Sequence, residues 1–189
     1  MLVGELVRLR AFESTDLERV FTWINDREVT RFLTARYPVS HADEQRWLES
    51  GPANSIQGVR LAIETRGGVH IGSIGLHRLN AEDRNAHLGI MIGDKAYWSN
   101  GHGTDAITTL LRFAFGEMNL RKVSLHLFDF NDRALACYKK CGFQEEARLR
   151  QHYFGEGRYW DVFAMGVLRD EFEESHGLTR PAAAAETSS

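Results

Sequence analysis

Cysteine is nearly absent: Cys137 and Cys141 are the only two in 189 residues. They sit four apart on a stretch that reads as helix, so a disulfide framework is excluded and two thiols do not complete a zinc site. No apolar run reaches the roughly 20 residues that a membrane-spanning helix needs. The opening Met1-Leu2-Val3-Gly4-Glu5 lacks the pattern of a signal peptide. Basic residues are not in excess: 23 Lys and Arg face 26 Asp and Glu, a net charge of −3, which leaves no footprint for nucleic acid. Internal repeats are missing too. The expectation is a cytoplasmic protein, monomer or homodimer, with no metal and no nucleic-acid or membrane partner.

What is present is ordinary for a globular chain, 43% hydrophobic and 26% charged. The length gives one domain able to bury a real core. Leu6 to Phe12 alternates as a half-buried strand. Thr15-x-x-Glu18 reads as a capping box for a helix carrying Leu17, Val20, Phe21 and Ile24. A short helix around Val29, Phe32 and Leu33 follows, then a third that Ser40-x-x-Asp43 would cap. After a loop at 51–58, Val59–Thr65 and Val69–Leu79 form a hairpin about Arg66-Gly67-Gly68, and Ala86–Ile92 is a further strand. Lys122–Phe128 is a strand, and Asn131 would cap a helix from Asp132 to Cys141 that ends on Gly142. Phe143–Phe154 and Tyr159–Leu168 close the chain as an antiparallel pair. The reading is an α/β fold in one domain over 1–172, with residues 173–189 as a disordered tail.

One stretch carries chemistry. Trp98-Ser99-Asn100-Gly101-His102-Gly103-Thr104 lies between the strand at 86–92 and a helix whose buried face is Ile107, Leu110, Leu111, Ala114, Phe115 and Met118. Strand, glycine turn and helix together aim backbone N–H groups and a positive dipole end at an anion such as pyrophosphate. The third glycine of a dinucleotide fingerprint is replaced by Ala106. The strand also lies near residue 90 rather than opening a βαβ chain, so a Rossmann domain does not fit.

The loop resembles the Q/R-x-x-G-x-G/A pyrophosphate loop of the GNAT superfamily of acyl-CoA-dependent N-acetyltransferases, with Trp98 at the Gln or Arg position. Asn131-Asp132-Arg133-Ala134 through Tyr138 to Gly142-Phe143 resembles that family's N-x-x-A-x-x-x-Y-x-K-x-G-F segment. Leu9-Arg10, Trp23-x-Asn25-Asp26 and Asp161 resemble its RimJ/RimL-like branch, the ribosomal-protein N-terminal acetyltransferases. The resemblance spans roughly residues 5–170. It implies a mixed, mostly antiparallel central sheet with flanking helices and a V-shaped gap between the strands at 87–92 and 122–128, where acetyl-CoA binds. It further implies pyrophosphate on the amides of Ser99, Asn100, Gly101, His102, Gly103 and Thr104, and a pantetheine arm against Met91, Ile92 and Asn131.

Positioning an amine beside a thioester can supply about 7–11 kcal/mol, so little is asked of side chains. Tyr138 takes the family's tyrosine position near the CoA sulfur. His87 stands where many relatives carry Glu and is the candidate base; Glu82 and Asp83 are others. The acceptor is expected to be a protein or peptide α-amine. At pH 7 such an amine loses its proton against about 1 pH unit, whereas a lysine-type amine faces about 3.4 units. The alternatives are a small amine (a polyamine such as spermidine, an aminosugar or an amine-bearing toxin) and a CoA-binding sensor without catalysis.

Overall fold

The computed structural model describes residues 1–50, 54 and 57–178. Strands β1 (Leu2–Val3) and β2 (Val7–Arg10) precede helices α1 (Leu17–Asn25), α2 (Arg27–Thr30) and α3 (His41–Ser50). Then come β3 (Val59–Thr65), β4 (His70–Asn80), β5 (Asn85–Ile92) and α4 (His102–Gly116). The chain continues through β6 (Lys122–Phe128), α5 (Asp132–Lys140), β7 (Gln144–Gly155), β8 (Arg158–Leu168) and α6 (Arg169–Ser175). The eight strands join one sheet in the order β1-β2-β3-β4-β5-β6-β8-β7. Among the described residues only the β5–β6 pair is parallel. This is the mixed, mostly antiparallel sheet with flanking helices that the sequence leads one to expect.

Strand alternation divides the molecule into two faces. Ala86, Leu88, Val123, Leu125 and Leu127 turn toward the main core, built with Ile107, Leu110, Leu111 and Phe115 of α4 and Phe172 of α6. Val20, Trp23 and Val29 of α1 and α2 form a smaller cluster on the opposite face, against Met91 and Trp98. Asn25 ties down the segment after α2: its Oδ1 accepts from the Val39 N–H at 3.0 Å and its Nδ2 donates to the Val39 carbonyl at 3.1 Å. No helix among the described residues is long and apolar enough to cross a membrane.

The feature that positions the site is a split in the sheet. β5 and β6 pair only at Asn85↔Lys122, Ala86↔Val123 and His87↔Ser124. Past that point β5 stays with β4 as far as Gly72↔Ile92, while β6 stays with β8 as far as Phe128↔Val162. A V-shaped gap opens between them. Its β5 side is held by Trp98, whose Nε1 donates to the Ile92 carbonyl at 2.7 Å. Gly93 follows, where any Cβ would run into the Trp23 ring.

Four local expectations change. The cap before α1 is not Thr15 with Glu18: a 3-10 turn at Ser14–Asp16 leads in, and Asp16 accepts from the Glu13 N–H at 2.9 Å. Tertiary charge selects it, because Arg10 grips the same carboxylate at 2.7 and 2.9 Å. The second helix covers Arg27–Thr30, capped by Asp26, and leaves Phe32 and Leu33 in the loop beyond. β1 is too short to show a period. α6 carries helix past residue 172 to Ser175 because Phe172 docks on Phe115, ring centroids 5.4 Å apart. Much of the 51–58 loop, and the tail from 179, lie outside the described residues.

Candidate active site

The N-terminus of α4 opens into the gap. Gly101, with φ +84°, is its N-cap, and Ser99 also has positive φ at 61°. The first N–H groups of a helix have no intrahelical acceptor. Here those of His102, Gly103 and Thr104 form a cradle for an anion, backed by the dipole of a 15-residue helix. A cavity of about 330 Å³ runs from this cradle between β5 and α5. Of the residues expected to bind CoA, Met91, Ile92, Trp98, Ser99, Gly101, Gly103, Thr104 and Asn131 line it, and Asn100 and His102 do not. Asn100 is turned back, its Nδ2 donating to the Ala96 carbonyl at 3.2 Å. His102 packs edge-on against Tyr97, ring centroids 5.1 Å apart. Both can serve only through their amides. Arg133 and Lys140, which sequence reading passed over, also line the cavity and bring positive charge to it.

The strand register shows which main chain at Met91 and Ile92 faces the gap. Gly93 N–H donates to the Ile71 carbonyl at 2.9 Å, so position 93 addresses β4. In an antiparallel ladder neighbouring residues address opposite sides, so the main chain of Met91 is spent on β4. Ile90 and Ile92 turn theirs to the gap. A pantetheine arm would therefore meet the backbone of Ile90 and Ile92, with Met91 contributing its side chain from the opposite face.

From the other wall, Asn131 caps α5, its Oδ1 accepting from the Ala134 N–H at 3.1 Å. Its Nδ2 has no partner among the described residues, so the cap leaves a donor on this wall. Tyr138 lines the cavity and its hydroxyl makes no hydrogen bond among the described residues. Burial, then the neighbouring Cys137 and Cys141, pushes its pKa well above the usual phenol range. The hydroxyl is thus a donor, not a source of a free proton, at working pH. Cys137 lies beside it, 3.3 Å from Thr104 Oγ1.

His87 does not line the cavity. It occupies the last paired position before the split, on the face of α1 and Met91, about 13 Å from Met91 at 3.3 Å per residue. It stands in a row that sequence reading did not anticipate. His77 is paired directly opposite it with ring centroids 5.9 Å apart, and His126 lies at 5.6 Å across β6. Burial first, then His126, Arg78, His77 and Lys122, lowers the His87 pKa, so the ring is neutral at pH 7. Asp83 is engaged in a turn, accepting from Asn80 Nδ2 at 2.8 Å.

A second cavity, about 680 Å³, lies on the α1 face and meets the first at Leu33, Ile90 and Met91. On its wall is Glu44 of α3, only 5% exposed. Its carboxylate makes no hydrogen bond or ion pair among the described residues. Burial pushes its pKa up, opposed by the more distant charge of Arg60. Glu44 shares a helical stripe with Trp47 and Leu48, and a carboxylate on an apolar stripe is the signal that could have marked it.

An added Cβ at Gly103 meets only Cys137 Sγ at 3.8 Å and Ile92 Cγ1 at 3.9 Å, ordinary contacts that the fold accepts. Gly103→Val is therefore expected to fold normally yet weaken CoA at least tenfold, about 1.4 kcal/mol, because the added bulk enters the ligand's space. Calorimetric titration with CoA checks this, and unchanged affinity would move the phosphates elsewhere.

Residues 7–144 match the acetyltransferase (GNAT) domain family. The spermidine N(1)-acetyltransferase of Vibrio cholerae is 29% identical over 164 residues, 87% of this chain and 94% of that protein. The putative ribosomal N-acetyltransferase YdaF of Bacillus subtilis is 27% identical over 179 residues, 90% of this chain and 96% of that protein. The crystal structure of the Vibrio cholerae spermidine N-acetyltransferase in complex with CoA and spermine superposes with a TM-score of 0.81 at 27% identity, over 88% of this chain and 98% of that one. The chain belongs to the GNAT acetyltransferases and is an acetyl-CoA-dependent N-acetyltransferase.

Proposed function

We propose that the acceptor is the primary amine of a small molecule rather than a protein or peptide α-amine. The reading starts from Glu44, a buried carboxylate without a partner among the described residues, on the wall of an open cavity that meets the CoA cleft. Leaving such a group uncompensated is costly. An incoming ammonium offsets that cost and restores the charged carboxylate. Relatives that act on spermidine support the same choice. The RimJ/RimL-like reading keeps the pKa argument for α-amines and the likeness to YdaF in its favour. An α-ammonium could meet Glu44 as well, so the choice between the two rests on the relatives that act on spermidine. A sensor without catalysis is disfavoured by the free Tyr138 hydroxyl in the cleft.

In the reaction, the unprotonated amine attacks the thioester carbonyl. The C–N bond forms, the C–S bond breaks, and the amine proton leaves through water toward His87, which stands too far from Met91 for direct contact. Tyr138 donates a hydrogen bond to the departing thiolate. Tyr138→Phe is expected to lower kcat by about tenfold or more, at the low end of acid–base contributions, with KM for acetyl-CoA nearly unchanged. Equal turnover would remove Tyr138 from the chemistry, once product release is shown not to limit the rate.

The lowered His87 pKa fixes the sign of the pH dependence. The active neutral form is lost on acidification, so the acidic limb of kcat/KM should fall below about pH 6.5. His126→Gln removes one neighbour that lowers that pKa and should move the limb upward. A limb that stays in place in both His87→Gln and His126→Gln would leave the row structural.

Acceptor class is tested by CoA release at pH 7 against spermidine, aminosugars, simple primary amines and short peptides with free Ala or Ser termini. A small amine is expected to exceed every peptide in kcat/KM by tenfold or more. Glu44→Gln should raise acceptor KM by a similar factor while leaving that of acetyl-CoA in place. A peptide as best acceptor would restore the ribosomal-type reading.

A further inference from the structure

Five of the carboxylates between residues 13 and 49 are ion-paired. Asp16 is held by Arg10 at 2.7 Å, Glu18 by His41 at 2.8 Å, Asp26 and Glu28 by Lys95 at 3.0 and 2.7 Å, and Asp43 by Arg46. The arginines of α2 and the segment after it are left with a different task. Arg27, Arg31 and Arg36 converge on a pocket of about 330 Å³ closed on its other side by the β7–β8 turn, with Phe130, Tyr153 and Trp160 as walls. Among the described residues Glu156 is the pocket's one carboxylate, and it pairs with Arg31 at 2.8 Å. Three guanidinium groups therefore face one carboxylate. Arg27 has no side-chain partner among the described residues.

The aromatic walls hold the guanidinium groups by their faces. Arg36 lies 4.6 Å above the Tyr153 ring and Arg31 lies 5.6 Å above Phe130. Stacking of this kind leaves the N–H edge of Arg36 free, while that of Arg31 is held by Glu156, and a free guanidinium edge matches a carboxylate or phosphate fork. The low-dielectric walls strengthen the attraction. Two rings join the pocket to the CoA cleft: Phe32, which lines the cleft, and Phe130, which lines the pocket, have centroids 6.1 Å apart. Phe130 also directly precedes Asn131.

We infer that this pocket takes an anionic group, carboxylate or phosphate, carried by the same small molecule whose amine is acetylated. The inference rests on the small-amine reading above and narrows it. A polycation such as spermidine gains nothing here and is repelled by the uncompensated arginines. An acceptor with an amine at one end and an anion at the other places both ends in complementary charge.

The test uses matched acceptors that differ in the anion: ethanolamine against 2-aminoethyl phosphate, and butylamine against 4-aminobutanoate, with spermidine alongside. The anionic member of at least one pair is expected to exceed its neutral partner in kcat/KM by tenfold or more, and the phosphate and carboxylate arms tell which anion is preferred. That ratio should shrink as NaCl is raised and fall to within twofold of unity in Arg27→Gln/Arg36→Gln, two exposed positions whose change leaves the core intact. Turnover of spermidine and the neutral amines with no gain from the anion would overturn this inference and leave the small-amine reading standing. An anionic preference that survives loss of both arginines would also overturn it. Absence of turnover with every small amine, while peptides react, would remove both.

Discussion

The site exists because two neighbouring strands stop pairing. A sheet normally satisfies every internal N–H and C=O, and leaving one buried without a partner costs about 1–3 kcal/mol. Here β5 and β6 separate after His87↔Ser124, which strips the gap-facing main chain of Ile90 and Ile92 of strand partners. Trp98 satisfies one group, the Ile92 carbonyl. The rest await a ligand with its own amides, spaced to run along a strand, and a pantetheine arm has them. The same separation brings the N-terminus of α4 to the mouth of the gap, so one irregularity creates both a strand-like groove and an anion cradle.

Strand alternation then gives the two faces of the gap different surroundings, which the proposed reading uses for the two reactants. Ile90 and Ile92 point toward α4 and α5, where Tyr138 and the cradle lie. Met91 and His87 point toward α1 and the cavity that holds Glu44. Charge follows the same division. The α4–α5 side has Arg133 and Lys140 with the helix dipole, and the α1 side has a buried carboxylate on one flank of the 33–37 segment and arginines on the other. The chemistry needs only a neutral amine at the meeting point, a hydrogen bond to thiolate and an exit for one proton.

Sequence reading recovered what local backbone geometry dictates. Gly101 and Gly103, the Asn131 cap and the apolar stripe of α4 each follow from a few adjacent residues, and the structure places them as expected. It named Met91 and Ile92 together, since which of two neighbours turns its main chain to the gap depends on pairing with β4. The histidine row was hidden because His77, His87 and His126 come from three strands. Glu44 was overlooked in a charged helix where only burial distinguishes it. The Arg27, Arg31 and Arg36 pocket was not legible, since the Phe130 and Tyr153 rings that orient it arrive more than ninety residues later. The cap at Asp16 was set by Arg10, and α6 by a single docked phenylalanine.

Amide hydrogen exchange of the protein with and without CoA tests the central claim most directly. If the split strand is the donor groove, CoA should slow exchange at the amides of Ile90, Ile92, His102, Gly103 and Thr104, and leave those of β2 and β3 unchanged. Protection confined to the helix N-terminus, with Ile90 and Ile92 exchanging as before, would contradict it.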